Sequence, residues 1–266
     1  MSAVEVSSTA NPRIKSALGL RDRRDRDQRG LTLVDGAREI GRAIAAGVEV
    51  VELFAALTPT LSTDAQAALA TARSAGIAVT PVGSAVLARL AFGDRSDGLV
   101  AIIRTPPLSL DRLTLPPEPL LVVVESLEKP GNLGAIVRSA DGAGADALIA
   151  VDPRTDVFNP NAIRASLGTI FSVPIAVTTS SSAIGWLRSA GIRIVVARVD
   201  STLPYTEADL RGPLAIAFGS EAHGLADAWT GSDIQAVSLP MRGIADSLNV
   251  SAAAAILLYE ARRQRP

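Results

Sequence analysis

Residues 119–152 read PLLVVVESLEKPGNLGAIVRSADGAGADALIAVD. The run LLVVVES (120–126) is apolar without alternation, the pattern of a strand covered on both faces rather than one. Pro130 and Gly131 then turn the chain, and Asn132 is placed to cap a helix over 133–143. A second apolar strand, DALIAVD (146–152), follows. Two buried strands joined by a helix form a parallel unit, because parallel neighbours need such a crossover.

Working outward, the pattern continues downstream. VPIAV (173–177), IRIVVARVD (192–200), PLAIAFG (213–219) and IQAVSL (234–239) read as strands, with helices expected near 181–190, 225–230 and 247–264. This predicts an α/β fold with a parallel sheet covered on both faces. Ligands of such sheets bind beyond the carboxyl ends of the strands, so the loops after strands deserve the closest reading. Upstream, RTPPLSLDRLTLPPEP (104–119) carries five prolines, which forbid a continuous helix or a central strand. It reads as a linker, 106–118, between a domain at 1–105 and another at 119–266.

The upstream domain reads as a small α/β layer structure. Arg13 to Arg29 suit one charged helix, LTLVDG a short strand, and AREIGRAIAAG an amphipathic helix with Ile40, Ala43, Ile44 and Gly47 on one face. VEVVELFAA, IAVTPVG and LVAIIR are further strands, DAQAALATARSAG a helix, and SAVLARLAF a helix with its serine as N-cap.

Composition narrows the chemistry. Of 266 residues 48% are hydrophobic, enough for a large core without crosslinks or metal. There is no cysteine and a single histidine, His223, so disulfides, thiolate metal sites and cysteine nucleophiles are excluded. Any chemistry must use Arg, Asn, Glu, Ser and backbone groups, and a bound cofactor could then carry the reactive group. No apolar run approaches the ~18 residues of a membrane span, and MSAVEVSSTA lacks the basic start and apolar run of a leader, so a cytoplasmic protein is expected.

The formal net charge is only −1, but it is unevenly spread. Arg13, Lys15, Arg21, Arg23, Arg24, Arg26 and Arg29 crowd one segment against three aspartates, and Arg262, Arg263 and Arg265 close the chain. Such clusters suit phosphate contact, although Asp22, Asp25 and Asp27 equally suit a solvated helix face.

Three post-strand loops carry the functional signal. In the first, NLGAIVRSA (132–140) follows a Pro-Gly turn and places Arg138 on the ensuing helix. In the second, FGSEAHGL (218–225), glycines flank Ser220 and Glu221 and expose backbone N–H groups, with His223 a turn residue. In the third, LPMRGIADSLNVS (239–251), Ser247 is expected to open a long helix whose first turn carries Asn249 and Ser251. Neither the dinucleotide fingerprint G-x-G-x-x-G nor a P-loop is present, which counts against a nicotinamide- or nucleotide-dependent enzyme.

In order, spacing and placement these three loops resemble the motifs of the SpoU/TrmH family of RNA ribose methyltransferases, within the SPOUT superfamily. TDVFNPNAIRASLGTIFSVP (155–174) is similar to that family's NP…RAS segment, so the likeness covers residues 119–266. NPRIKSALGLRDRRDRDQRGLTLVDGAREI (11–40) resembles the L30e-like substrate-binding domain of ribosomal-RNA members, with departures at Asp35-Gly36 and Ser96-Asp97-Gly98.

The resemblance implies a trefoil knot in the C-terminal domain, a homodimer, and S-adenosylmethionine-dependent methylation of a ribose 2′-hydroxyl in structured RNA, 23S-type ribosomal RNA first. It implies catalytic positions at Asn132, Arg138, Glu221 and Asn249. Cofactor-binding positions are implied at Ala197, Gly219, Leu239, Met241, Ser247 and Leu248. RNA contacts are expected from Arg13, Lys15, Arg23, Arg24, Arg26 and Arg38, with Arg164 as a second phosphate ligand. No metal is called for. A transfer-RNA 2′-O-methyltransferase and a non-catalytic RNA-binding module stay open as alternatives.

Overall fold

A computed structural model describes residues 5–56, 61–92 and 97–265; Ser96 lies outside them. The chain divides into two compact units, Met1–Pro106 with Phe158–Ser172, and Pro107–Val157 with Val173–Pro266.

The second unit is built on six strands: β5 (Leu120–Glu125), β6 (Ala147–Val151), β7 (Ile175–Thr178), β8 (Arg193–Ala197), β9 (Leu214–Phe218) and β10 (Ile234–Val237). They lie in the order β10-β8-β9-β5-β6-β7, and every pairing is parallel. All residues of β5, β6 and β9 are buried, the outcome expected of apolar runs without alternation. From β5 the chain fills one side of the sheet and then crosses to the other. The switch point therefore falls between β5 and β9, where Val124 pairs with Phe218. The loops after these adjacent strands are the first and second of the three singled out above.

Helices α6 (Pro130–Ala143), α8 (Ser180–Ser189) and α9 (Val250–Gln264) belong to this unit, and the starts of α6 and α9 correct two expectations. Helix α6 begins at Pro130, with Lys129 as N-cap, so Asn132 sits inside the first turn instead of capping it. Proline at the first helical position needs no donor and has its φ preset, which moves the start forward. Helix α9 begins at Val250 rather than Ser247, because the Asn249 side chain accepts the Ser251 amide hydrogen at 2.9 Å and makes Asn249 the cap. The helix expected near 225–230 is only a short 3₁₀ turn, Asp227–Trp229. The proline-rich stretch is no loose tether. Leu110, Leu113 and Leu115 pack on the core, and Val177 donates to the Leu108 carbonyl at 2.6 Å, covering the β7 edge.

The first unit holds β1 (Leu31–Asp35), β2 (Val50–Ala56), β3 (Val79–Val82) and β4 (Leu99–Arg104) in the order β1-β4-β2-β3. Its helices are α1 (Pro12–Gly19), α2 (Arg23–Arg29), α3 (Ala37–Ala45), α4 (Thr63–Ser74) and α5 (Ser84–Leu90). The charged segment is thus two helices, the second capped by Asp22, and α5 is preceded by Gly83 as its N-cap.

Helix α7 (Pro160–Ala165) also packs in the first unit. Thr32 Oγ1 donates to the Phe158 carbonyl and Arg42 to the Leu167 carbonyl, each at 2.8 Å. Gly168 is required there. Its φ is +82°, and a Cβ would lie 2.9 Å from the Glu39 Cα.

Candidate active site

The site grows from the tight loop after β9. Ser220 and Gly224 exchange backbone hydrogen bonds of 3.0 and 2.9 Å, closing the loop on itself. Gly224 turns with φ +66°, and a side chain on Gly219 would collide with the Gly224 carbonyl and the Leu225 amide. Both glycines are therefore imposed by the backbone, and what they present is Glu221.

Three residues from the other two sequence elements close on that carboxylate. Glu221 Oε1 accepts from Asn132 Nδ2 and from Asn249 Nδ2, each at 2.8 Å. Its Oε2 accepts from Lys129 Nζ at 2.6 Å. Asn249 is fully committed: Nδ2 also approaches Asn132 Oδ1 at 3.3 Å, while Oδ1 accepts from the Ser251 amide and hydroxyl at 2.9 and 2.6 Å. The cap of α9 is thus also a member of the cluster. Lys129, and then the Asn132 amide, hold the Glu221 carboxyl below its ordinary value of 4.5, and Glu221 in turn raises Lys129.

Beyond the cluster lies a stretch suited to a ligand. Ala197 ends β8 beside Val237 of β10, and Gly219 directly follows β9, so both stand at the carboxyl edge of the sheet. Among the described residues, none from Leu239 to Leu248 makes a backbone–backbone hydrogen bond, and most are exposed. Unspent amides and carbonyls beside apolar Leu239, Met241 and Leu248 fit an adenosyl group, whose ring wants an apolar slot and whose polar edges want backbone partners. Ser247, also exposed, lies in the same stretch.

Arg138 stands apart from the cluster. It is exposed and makes no ion pair among the described residues. It follows Asn132 by six residues, about 9 Å along the helix axis. Cα–Cβ bonds in an α-helix tilt toward the helix N-terminus, the end of α6 at which the cluster lies.

The expected RNA contacts separate into two groups. Lys15, Arg23, Arg24 and Arg38 are exposed, Arg23 lying 3.4 Å from Asp27. Arg13 is exposed but bonded to Glu52 at 2.5 Å and Thr80 at 2.9 Å. Arg26 is buried, with Nη1 donating to the Leu20 and Arg21 carbonyls at 2.9 Å, so it finishes α1 from inside the fold. Arg164 bonds the buried Asp35 at 2.7 Å and the Phe92 carbonyl. Burial pushes the Asp35 and Glu39 carboxyls up.

Two residues that hold the candidate site together escaped the sequence reading. Lys129 is one; its signal was rarity, since it and Lys15 are the only lysines in the chain. Glu125 is the other, a buried carboxylate at the end of β5 that accepts from Trp229 Nε1 at 2.8 Å, the Ala226 amide at 2.7 Å and the Ser180 hydroxyl. It anchors the segment leaving the Glu221 loop. A charge ending an apolar strand was the available signal, because a buried charge requires partners.

Among the described residues no helix is long and apolar enough to cross a membrane, and no group of three or more His, Asp or Glu could hold a metal ion.

Known proteins share this architecture. The MRM3-like substrate binding domain matches residues 11–101. A 23S rRNA (uridine(2479)-2′-O)-methyltransferase from Streptomyces viridochromogenes is 35% identical over 94% of this chain and 88% of its own length. A crystal structure of an RNA 2′-O ribose methyltransferase superposes with a TM-score of 0.87 at 41% identity, covering 98% of this chain and 99% of that one. The AdoMet-bound rRNA methyltransferase from Sinorhizobium meliloti does so with a TM-score of 0.88 at 28% identity, over 98% of both chains. The three-loop cluster falls within residues 119–259, which match the SpoU rRNA Methylase family, and to that family the chain belongs.

Proposed function

We propose that this protein transfers the methyl group of S-adenosylmethionine to a ribose 2′-hydroxyl in 23S-type ribosomal RNA. The carrying observation is the convergence of Asn132, Glu221 and Asn249, from three separate loops, beside the backbone-rich stretch 239–248. The names of its relatives supply the substrate class.

The cofactor brings a methyl group already activated on a sulfonium, so the protein has to align the hydroxyl and manage its charge. Leu239, Met241, Ser247 and Leu248, with Ala197 and Gly219, hold the cofactor in this reading. Glu221, kept ionised by its donors, is a poor acceptor for the hydroxyl proton and acts as the post that fixes both asparagines. Arg138 cannot deprotonate in a protein, so its role is that of a fixed cation against the developing alkoxide and the neighbouring phosphate. The hydroxyl proton passes to solvent water, which the exposed site admits, and a neutral thioether is left in place of the sulfonium. Exposed Lys15, Arg23, Arg24 and Arg38 on the first unit supply contacts to the RNA backbone. A homodimer, a knotted C-terminal unit and a cytoplasmic location belong to the same reading.

The test is incubation of purified protein with methyl-labelled S-adenosylmethionine and unmodified 23S ribosomal RNA, followed by ribose mapping. A single 2′-O-methylated nucleotide is expected. Label on a base, on transfer RNA only, or nowhere overturns the proposal.

A further inference from the structure

We infer that Lys129 is a positioning residue for methyl transfer, acting through Glu221; this rests on the site proposed above. Lys129 is the N-cap of α6, three residues before Asn132, and Nζ reaches across to Glu221 at 2.6 Å while its side chain stays 70% exposed. The two asparagine amides share Oε1, and among the described residues lysine alone bonds Oε2. Remove it, and the carboxylate can rotate or take a proton, either of which releases the asparagines it holds.

The choice of cation supports this division. The chain uses Lys for only two of its 26 cations, so a lysine here stands against a strong preference for arginine. An ammonium is a compact charge that can bind one carboxylate oxygen and leave the other. A guanidinium presents a planar fork that grips both oxygens, and would compete with Asn132 and Asn249 for Oε1. The other charges near Lys129 leave the pairing to Glu221: adjacent Glu128 is engaged by Arg154 Nη1 at 2.9 Å.

Two measurements decide it. The first follows Lys129 directly, by carbon-13 reductive dimethylation and NMR titration in a Lys15→Arg background that leaves one lysine side chain. The Lys129 signal should titrate above the ordinary lysine value, and Glu221→Gln should return it there. A signal at the ordinary value in the parent overturns the pairing.

The second measurement compares steady-state kinetics of Lys129→Met and Lys129→Arg in the full chain. Misplacement of a bracket by under ~1 Å should cost on the order of tenfold in kcat. KM for RNA should stay within about twofold, and arginine should recover little. Raised KM with intact kcat would make Lys129 a phosphate contact, and full rescue by arginine would reduce its role to charge; both refute the inference. Glu221→Gln separates the two levels of argument. If that variant keeps full kcat the site itself fails, whereas if it is inactive while Lys129→Met is normal only the lysine fails.

Discussion

Gly219→Ala tests whether the loop after β9 is as constrained as its geometry requires. The added methyl would sit inside contact distance of the Gly224 carbonyl and the Leu225 amide, which are backbone and cannot rotate away. Reaching ordinary contact needs a retreat of about 1 Å or more. That retreat breaks the reciprocal Ser220–Gly224 hydrogen bonds. Two such bonds at about 1 kcal/mol each give roughly 2 kcal/mol, or about 4–8 °C in melting temperature for a unit of this size. The same shift carries Glu221 off its donors, and a displacement of ~1 Å at a reacting centre costs about a hundredfold in rate. Scanning fluorimetry reads the first effect, and calorimetric titration of S-adenosylmethionine with methyl-transfer kinetics reads the second. Gly185→Ala is the control: a glycine inside α8 with no atom within 4 Å of the added methyl, it should stabilise by up to ~1 kcal/mol. A Gly219→Ala protein that melts with the parent and keeps its cofactor affinity and kcat would refute the reasoning.

Three further outcomes are expected. Arg138→Ala should lower methyl transfer by ~10²–10³ with S-adenosylmethionine affinity unchanged by calorimetry, while Arg138→Lys, lacking the planar fork, recovers little; near-normal turnover at saturating cofactor and RNA removes Arg138 from the site. Asp35 and Glu39 have carboxyls raised by burial, so their ionisation opposes folding. Their contribution to stability is full below the ordinary values of 3.8 and 4.5 and is lost as pH rises through the raised ones. Urea unfolding above and below that window should show less pH dependence in Asp35→Asn than in the parent, and an identical dependence would count against it. Leu113→Ala should lower the melting temperature by several degrees, since Leu113 packs on the core of the second unit; a loose linker would leave it unchanged.

The sheet of the second unit was legible because β6 and β9 are apolar at every position, β5 at all but its last, Glu125, and each is followed by Gly, Pro or a polar turn. The three loops were legible for the same reason. What composition could not convey was which partner a polar residue meets. The arginine-rich helices show this. Arg24 and Arg26 are two residues apart in one charged run, yet one is exposed and the other buried on the carbonyls at the end of α1. Periodicity in a run of charges does not say which side chain turns inward. Helix α7 was missed because six residues are too few to display a period, and its place in the first unit depends on long-range contacts such as Thr32 to Phe158.

Caps were harder still, and the reason bears on the site. The last loop offers Ser247, Asn249 and Ser251, each able to cap a helix. Asn249 is the cap, and the same side chain donates to Glu221, so the bond that starts α9 also orients the amide aimed at the carboxylate. Asn132 shows the converse. Freed from capping by Pro130, its amide is spent on Glu221 instead. A side chain with two donors and two acceptors can serve fold and site together, and where it does the precision of the helix start is passed to the chemistry. That coupling explains why the helix boundaries misjudged from sequence lie beside the residues proposed to act: both depend on how the same few amide and carboxylate groups share their hydrogen bonds.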